Sequence, residues 1–166
     1  MQKITPNLWF DTEAEEAANF YTSIFKDSEI TDVSHYGEAG PRPAGTVLTV
    51  SFRLQSQEFT AINGGPEFKF NEAVSFLVSC ESQEEVDYFW DNLGEGGEFG
   101  PCGWLKDKYG LSWQVIPTVL SELISSEDRE KANRAMSAML QMGKIDIAAL
   151  EAAYAGEAQT ASELAT

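Results

Sequence analysis

The chain runs through one pattern twice, and this repeat limits its possible folds more than any other feature. Each half opens with a short apolar run, residues 4–10 and 74–80. Each run leads through an acidic, cap-like stretch into a helical pattern, 12–25 and 82–93. Strand-like segments then end in an apolar stretch, 59–62 in the first half and 111–116 in the second. A single shift of 69 residues lays Ala17, Phe20, Tyr21 and Ile24 on Val86, Phe89, Trp90 and Leu93. Such self-similarity predicts one supersecondary unit used twice. The expected fold is α+β, with two βαβββ modules forming two curved half-sheets around a shared cleft, the usual place for a ligand.

Hydrophobic periodicity fills in the elements. In the first helix the apolar stripe is Ala14, Ala17, Ala18, Tyr21, Ile24 and Phe25, at helical spacing. Thr12 with Glu15, and Ser82 with Glu85, have the spacing of capping boxes at the two helix starts. Over 46–54, Leu48, Val50, Phe52 and Leu54 alternate with Thr49, Ser51 and Arg53, as in a half-buried strand. Asn63-Gly64-Gly65 reads as a turn after the next strand. The segment 35–45, with three glycines and two prolines, reads as a mobile loop at the cleft mouth. The stretch 106–110 reads as a hairpin turn feeding the last strand.

After Pro117 the repeat stops and two helices are expected. Ser125 or Ser126 is the candidate cap of the first, with a stripe of Ala132, Ala135, Met136, Met139 and Leu140. Asp146 is the cap expected for the second, Ile145 and Leu150 form its hydrophobic staple, and Gly156 ends it. The expected organisation is a paired domain over 1–120, with module one at 1–70 and module two at 71–120. A helical extension over 121–156 and a small polar, frayed tail over 157–166 follow.

Composition narrows the classes of function. A net charge of −16 repels phosphate, so neither nucleic acid nor an anionic membrane is an expected partner. No run of about 18 apolar residues is present to span a bilayer. The start of the chain has no signal-peptide pattern, and Cys80 and Cys102 fit neither a disulfide framework nor a zinc spacing. The expected location is the reducing cytoplasm.

A catalytic metal would need about three or four His, Asp, Glu or Cys ligands converging on one point. The only histidine, His35, lies in the Gly/Pro loop, and the segments 4–10, 59–62, 74–80 and 111–116 hold no Asp, Glu or His. The reading is therefore no metal and no cofactor. Cys102 has no nearby histidine and reads as a half-buried structural thiol, while Cys80 ends an apolar run and reads as core. In the last strand Trp113 and Val115 face one way, Ser112, Gln114 and Ile116 the other. Gln114 can orient a ligand's carbonyl or amide, or it can satisfy neighbouring backbone groups. The aromatic residues on these segments serve mainly as core and in a few cases as pocket wall. The candidate ligand-binding set is Asn7, Trp9, Ser51, Ser75, Trp104 and Gln114.

Four stretches carry a family resemblance: LWFDTEAEEAANFYTSIF, INGGPEFKFNEAVSFLVSCESQEEVDYFWDNL, GPCGWLKDKYGLSWQVIP and KIDIAALEAAYAG. Over residues 3 to 155 the chain resembles the PhnB-like branch of the vicinal oxygen chelate superfamily. That superfamily includes glyoxalase I, extradiol dioxygenases and bleomycin-resistance proteins. The branch also carries the label 3-demethylubiquinone-9 3-methyltransferase. The resemblance implies the paired βαβββ fold, a bacterial protein and a homodimer, to which the Met136, Met139 and Leu140 stripe would contribute. Metal-dependent members place His or Glu on the first strand of each module and Glu on the last. The matching positions here hold Thr5 or Pro6, Ser75 and Gln114. The expected function is metal-independent binding of a small molecule of unknown identity. The alternatives are a metal-dependent lyase or oxygenase and the labelled methyltransferase. The methyltransferase alternative lacks a glycine-rich loop between a strand and a helix for a doubly wound nucleoside site.

Overall fold

The protein is described here from a computed structural model, over residues 3–157. It divides into two compact units after residue 70. The first contains β1 (Asn7–Phe10), α1 (Ala14–Ile24), β2 (Glu29–His35), β3 (Val47–Leu54) and β4 (Gln57–Asn63). The second contains β5 (Ser75–Cys80), α2 (Gln83–Gly94), β6 (Glu98–Phe99), β7 (Trp104–Lys106) and β8 (Ser112–Pro117). Each unit has the order βαβββ. The sheets read β1-β4-β3-β2 and β5-β8-β7-β6, one topology used twice. In both, the first strand runs parallel to the last and the other pairings are antiparallel.

The repeat extends to individual side chains. Ala17 and Val86 are fully buried, as are Tyr21 and Trp90, and Ile24 and Leu93, to within a few per cent. Phe20 and Phe89 are both half-buried. In the first unit α1 covers the sheet face of Leu8, Val50, Phe52 and Phe59, with the Tyr21 ring stacked on Phe52 at 6.1 Å. Strand alternation leaves Asn7, Ser51 and Thr60 on the opposite face. In the second unit Val78, Leu105, Trp113 and Val115 form the buried face, and Trp104, Lys106 and Gln114 lie on the other.

Several local expectations are corrected. Thr12 does not cap α1, and Glu13 occupies the cap position without a side-chain bond to the helix, its carboxylate accepting from the Thr12 N–H at 2.9 Å instead. Instead Asn63 Oδ1, from the end of β4, accepts from the Ala14 N–H at 2.9 Å. This is a helix cap supplied from 49 residues away. Ser82 does cap α2 through the Glu85 N–H, but the Glu85 carboxylate turns to the Glu81 N–H instead of closing the box. His35 is not in a loop; it ends β2, which pairs irregularly with β3. The loop that follows is tied down. Tyr36 exchanges backbone bonds with Gly45 and Thr46, its hydroxyl donates to the Asn63 carbonyl at 2.7 Å, and Arg42 pairs with Asp11.

Three helices, not two, follow β8: α3 (Thr118–Ile124), α4 (Arg129–Met139) and α5 (Ile147–Ala155). Ser125 ends α3, so it cannot start α4, and Asp128 caps α4 through the Lys131 N–H. Asp146 caps α5, Gly156 ends it in the left-handed conformation, and Ile145 and Leu150 are fully buried, as the staple requires. Leu120, Ile145 and Leu150 form a small core of their own, against which Ile116 of β8 packs. Of the tail, residues 158–166 lie outside the described residues. No helix among the described residues is long and apolar enough to cross a membrane.

Candidate functional site

The six candidate residues fall into two sets, one per unit. Sheet register aligns Asn7 of β1 with Thr60 of β4, and Thr60 with Ser51 of β3. In the second unit Leu77, Gln114 and Trp104 align across β5, β8 and β7. The two rows occupy equivalent places in the repeat, on the face turned away from the helix. Thr60, which the sequence reading did not select, is thus the counterpart of Gln114.

The second row carries the more developed polar arrangement. Gln114 Nε2 donates to Ser75 Oγ at 2.9 Å, joining two half-buried side chains on neighbouring strands. Trp104, also half-buried, is the cross-strand partner of Gln114. One end of this face is covered where Ile116 meets the C-terminal helices. The Gly103 and Cys102 N–H groups fasten the start of β7 to Gly143 and Met142. Gly103 has φ +80°, and a Cβ there would lie 2.7 Å from the Val115 carbonyl oxygen, so only glycine fits this approach.

Beside Trp104 a cavity of about 450 Å³ opens at the β6–β7 edge. Phe99, Pro101, Trp104 and Leu105 supply most of its wall, and Glu72, Glu98, Lys106 and Ser112 supply its polar groups. Lys106 Nζ pairs with Glu72 at 2.5 Å. The hydrogen bond and charge of Lys106 hold the Glu72 carboxyl below its usual range, and Glu72 in turn raises the Lys106 ammonium above its own. Ser112 is fully buried, and its hydroxyl is the buried side-chain group among the described residues with no hydrogen-bond partner.

Trp9 and Asn7 are not drawn into a comparable constellation. Trp9 Nε1 donates to the Gly65 carbonyl at 2.9 Å, and its ring meets Phe68 edge-on at 5.0 Å. The turn sits so close that a Cβ on Gly64 would fall within 2.5 Å of the indole. Trp9 thus anchors the turn after β4, while Asn7 is exposed. Asp107, also unselected, is buried in the turn after β7. Its Oδ1 accepts from the Tyr109 and Leu111 N–H groups, and its Oδ2 from Trp113 Nε1. Its place in a charged surface turn, Lys-Asp-Lys, gave no sign of that burial.

The residues do not fit a divalent metal. On β8 Gln114 presents a neutral amide whose nitrogen faces a serine hydroxyl, and neither group supplies negative charge. Among the described residues no three His, Cys, Asp or Glu side chains gather closely enough to hold a metal ion. Both cysteines are free thiols. Cys80 is buried in the β5 core, and Cys102 Sγ lies 3.6 Å from the Met139 carbonyl.

Residues 2–116 match the family model described as 3-demethylubiquinone-9 3-methyltransferase. A PhnB protein of Bacillus cereus, provisionally described as a 3-demethylubiquinone-9 3-methyltransferase, is 43% identical; the match covers 70% of this chain and 100% of that one, with a TM-score of 0.63. The protein PA1353 of Pseudomonas aeruginosa shares the fold at 20% identity and a TM-score of 0.59, over 70% of this chain and 98% of its own. The fosfomycin resistance protein FosX of Listeria monocytogenes shares it at 14% identity and a TM-score of 0.50, over 74% of this chain and 97% of its own. No curated protein matches the chain.

Proposed function

The chain belongs to the PhnB-like, 3-demethylubiquinone-9 3-methyltransferase family of the vicinal oxygen chelate superfamily, and from that premise we propose that it binds a small molecule without a metal. The carrying observation is the Gln114–Ser75 hydrogen bond. It stands at the positions where metal-dependent relatives are expected to keep ligands. An amide and a hydroxyl can each donate and accept, so together they orient a neutral or anionic polar group, but they supply no negative charge to hold a dication. Trp104 beside them offers a flat apolar wall, a combination suited to small-molecule recognition. Asn7, Trp9 and Ser51 lie on the equivalent face of the first sheet and form, in this reading, a candidate surface of that unit by itself. The free thiols Cys80 and Cys102 are in keeping with a reducing cytoplasm. Exposed Met136 and Leu140 on and beside α4, with Val74 and Leu77 at the β5 edge, offer apolar surface for a second copy of the chain, so the working unit is a homodimer.

The test is a ligand-observed binding screen of small metabolites, run on the purified protein with and without EDTA. Hits should persist in EDTA and weaken in Gln114→Ala. Hits that vanish with EDTA and return with one stoichiometric divalent metal would overturn the reading in favour of a lyase or oxygenase. Methyl transfer to a quinol would favour the family label.

A further inference from the structure

The cavity at the β6–β7 edge has a charge pattern that selects among ligands. We infer that it seats a small protonated amine carried on a flat apolar body, held by Glu98 and the Trp104 ring. This rests on the small-molecule reading above and names the ligand class.

Charge sets the preference. Lys106 is the cavity's one cation, and it is already engaged with Glu72 at 2.5 Å. The pair is close to neutral towards a ligand, and an incoming anion would have to displace Glu72. Glu98, the direct β6 partner of Lys106 and a weaker charge neighbour of its ammonium, is the second carboxylate, so the three groups together carry one net negative charge. The net demand of the cavity is therefore for a positive group. The chain's charge of −16 favours the approach of cations and opposes that of anions.

Shape points the same way. Phe99, Pro101, Trp104 and Leu105 make most of the wall apolar, and about 450 Å³ suits a molecule of one or two rings. An indole face attracts an ammonium more strongly than any other side-chain ring does. Ser112 Oγ is a second, independent sign of a ligand. A buried hydroxyl without a partner is rare and unfavourable, so a polar group that reaches it gains by completing it.

The test uses one apolar body with three head groups: 2-phenylethylamine, 3-phenylpropanoate and 2-phenylethanol, titrated calorimetrically into the full chain. The amine should bind at least about tenfold more tightly than either twin. Glu98→Gln, at an exposed position that leaves the fold intact, should weaken the amine about tenfold and leave the alcohol unchanged. Trp104→Ala should weaken all three. Glu72→Gln should release Lys106 and raise carboxylate affinity. Carboxylate preferred over amine in the unaltered chain, or amine affinity indifferent to Glu98→Gln, overturns the inference while leaving metal-free binding intact. If none of the three binds, the amine inference fails alone, because the metabolite screen and Gln114→Ala test the broader reading separately.

Discussion

Gln114 and Ser75 sit on adjacent parallel strands and share one hydrogen bond of 2.9 Å, each being the other's side-chain partner on a half-buried face. Such a bond is worth about 1 kcal/mol when both partners are present. Gln114→Ala and Ser75→Ala should each destabilise the chain by about 1 kcal/mol, and the double variant by clearly less than the sum. Urea unfolding of the four proteins gives the coupling directly. Strict additivity would mean that the two side chains do not interact in solution.

The remote cap makes a sharper prediction. Asn63 Oδ1 accepts from the Ala14 N–H, and Asn63 Nδ2 donates to the Val47 carbonyl at 3.1 Å. Asn63→Ala removes both, leaving the buried Ala14 N–H and the part-buried Val47 carbonyl without these partners, so a loss of about 2–3 kcal/mol is expected. Asn63→Asp keeps the acceptor and should recover part of it. Thr12→Ala, at the position that the sequence pattern favours as cap, should cost less than about 0.5 kcal/mol. Equal losses at Thr12 and Asn63 would contradict this cap.

These two cases mark the boundary of what the sequence discloses. The repeat was legible because burial follows short periods, so Ala17, Tyr21 and Ile24 announce themselves and their counterparts at Val86, Trp90 and Leu93. The faces of β3 and β8 were legible for the same reason. Asn63 was read only as a turn residue, because its partner lies in another element and no local pattern encodes that meeting. β2 escaped because its pairing with β3 slips near Ile30 and again near His35, which breaks alternation. At the start of α4, Ser125, Ser126 and Asp128 all have cap chemistry, and the choice was fixed only by where α3 ends. Of the candidate site, Ser75, Trp104 and Gln114 do come together on one face. Ser112 was assigned to that face correctly, but an unpartnered hydroxyl is a property of its surroundings and not of its spacing.

Asp107 gives the largest expected effect in the second unit. Its two oxygens accept from two backbone N–H groups and the Trp113 indole, closing the turn before β8. Asp107→Asn turns an NH₂ towards either the indole N–H or the two backbone donors, so one bond becomes a donor–donor contact. A loss of about 2–4 kcal/mol is expected, larger than at any exposed carboxylate. Thermal unfolding measures the loss, and Trp113→Phe in the Asp107→Asn background should recover part of it. Unchanged stability in Asp107→Asn would show that the turn does not depend on these bonds.

Cys80 ties burial to alkaline stability. Its thiol lies in the core of the second unit, and desolvation, with a smaller contribution from the Glu85 charge, pushes its pKa from 9.0 up to about 12. A raised folded-state pKa means that between those values the native state keeps a proton that the unfolded state has lost. The contribution is complete below about pH 9 and is lost as pH rises towards 12. Cys80 should therefore steepen the fall in stability across that window by up to about 1.4 kcal/mol per pH unit. Cys80→Ala should show a shallower fall there, despite being less stable at neutral pH from the core volume it loses. In the native chain at pH 8 a thiol reagent should leave Cys80 unmodified until denaturant is added. Rapid modification of Cys80 under native conditions, or identical alkaline profiles for the two proteins, would show that its thiol is not held protonated by the fold.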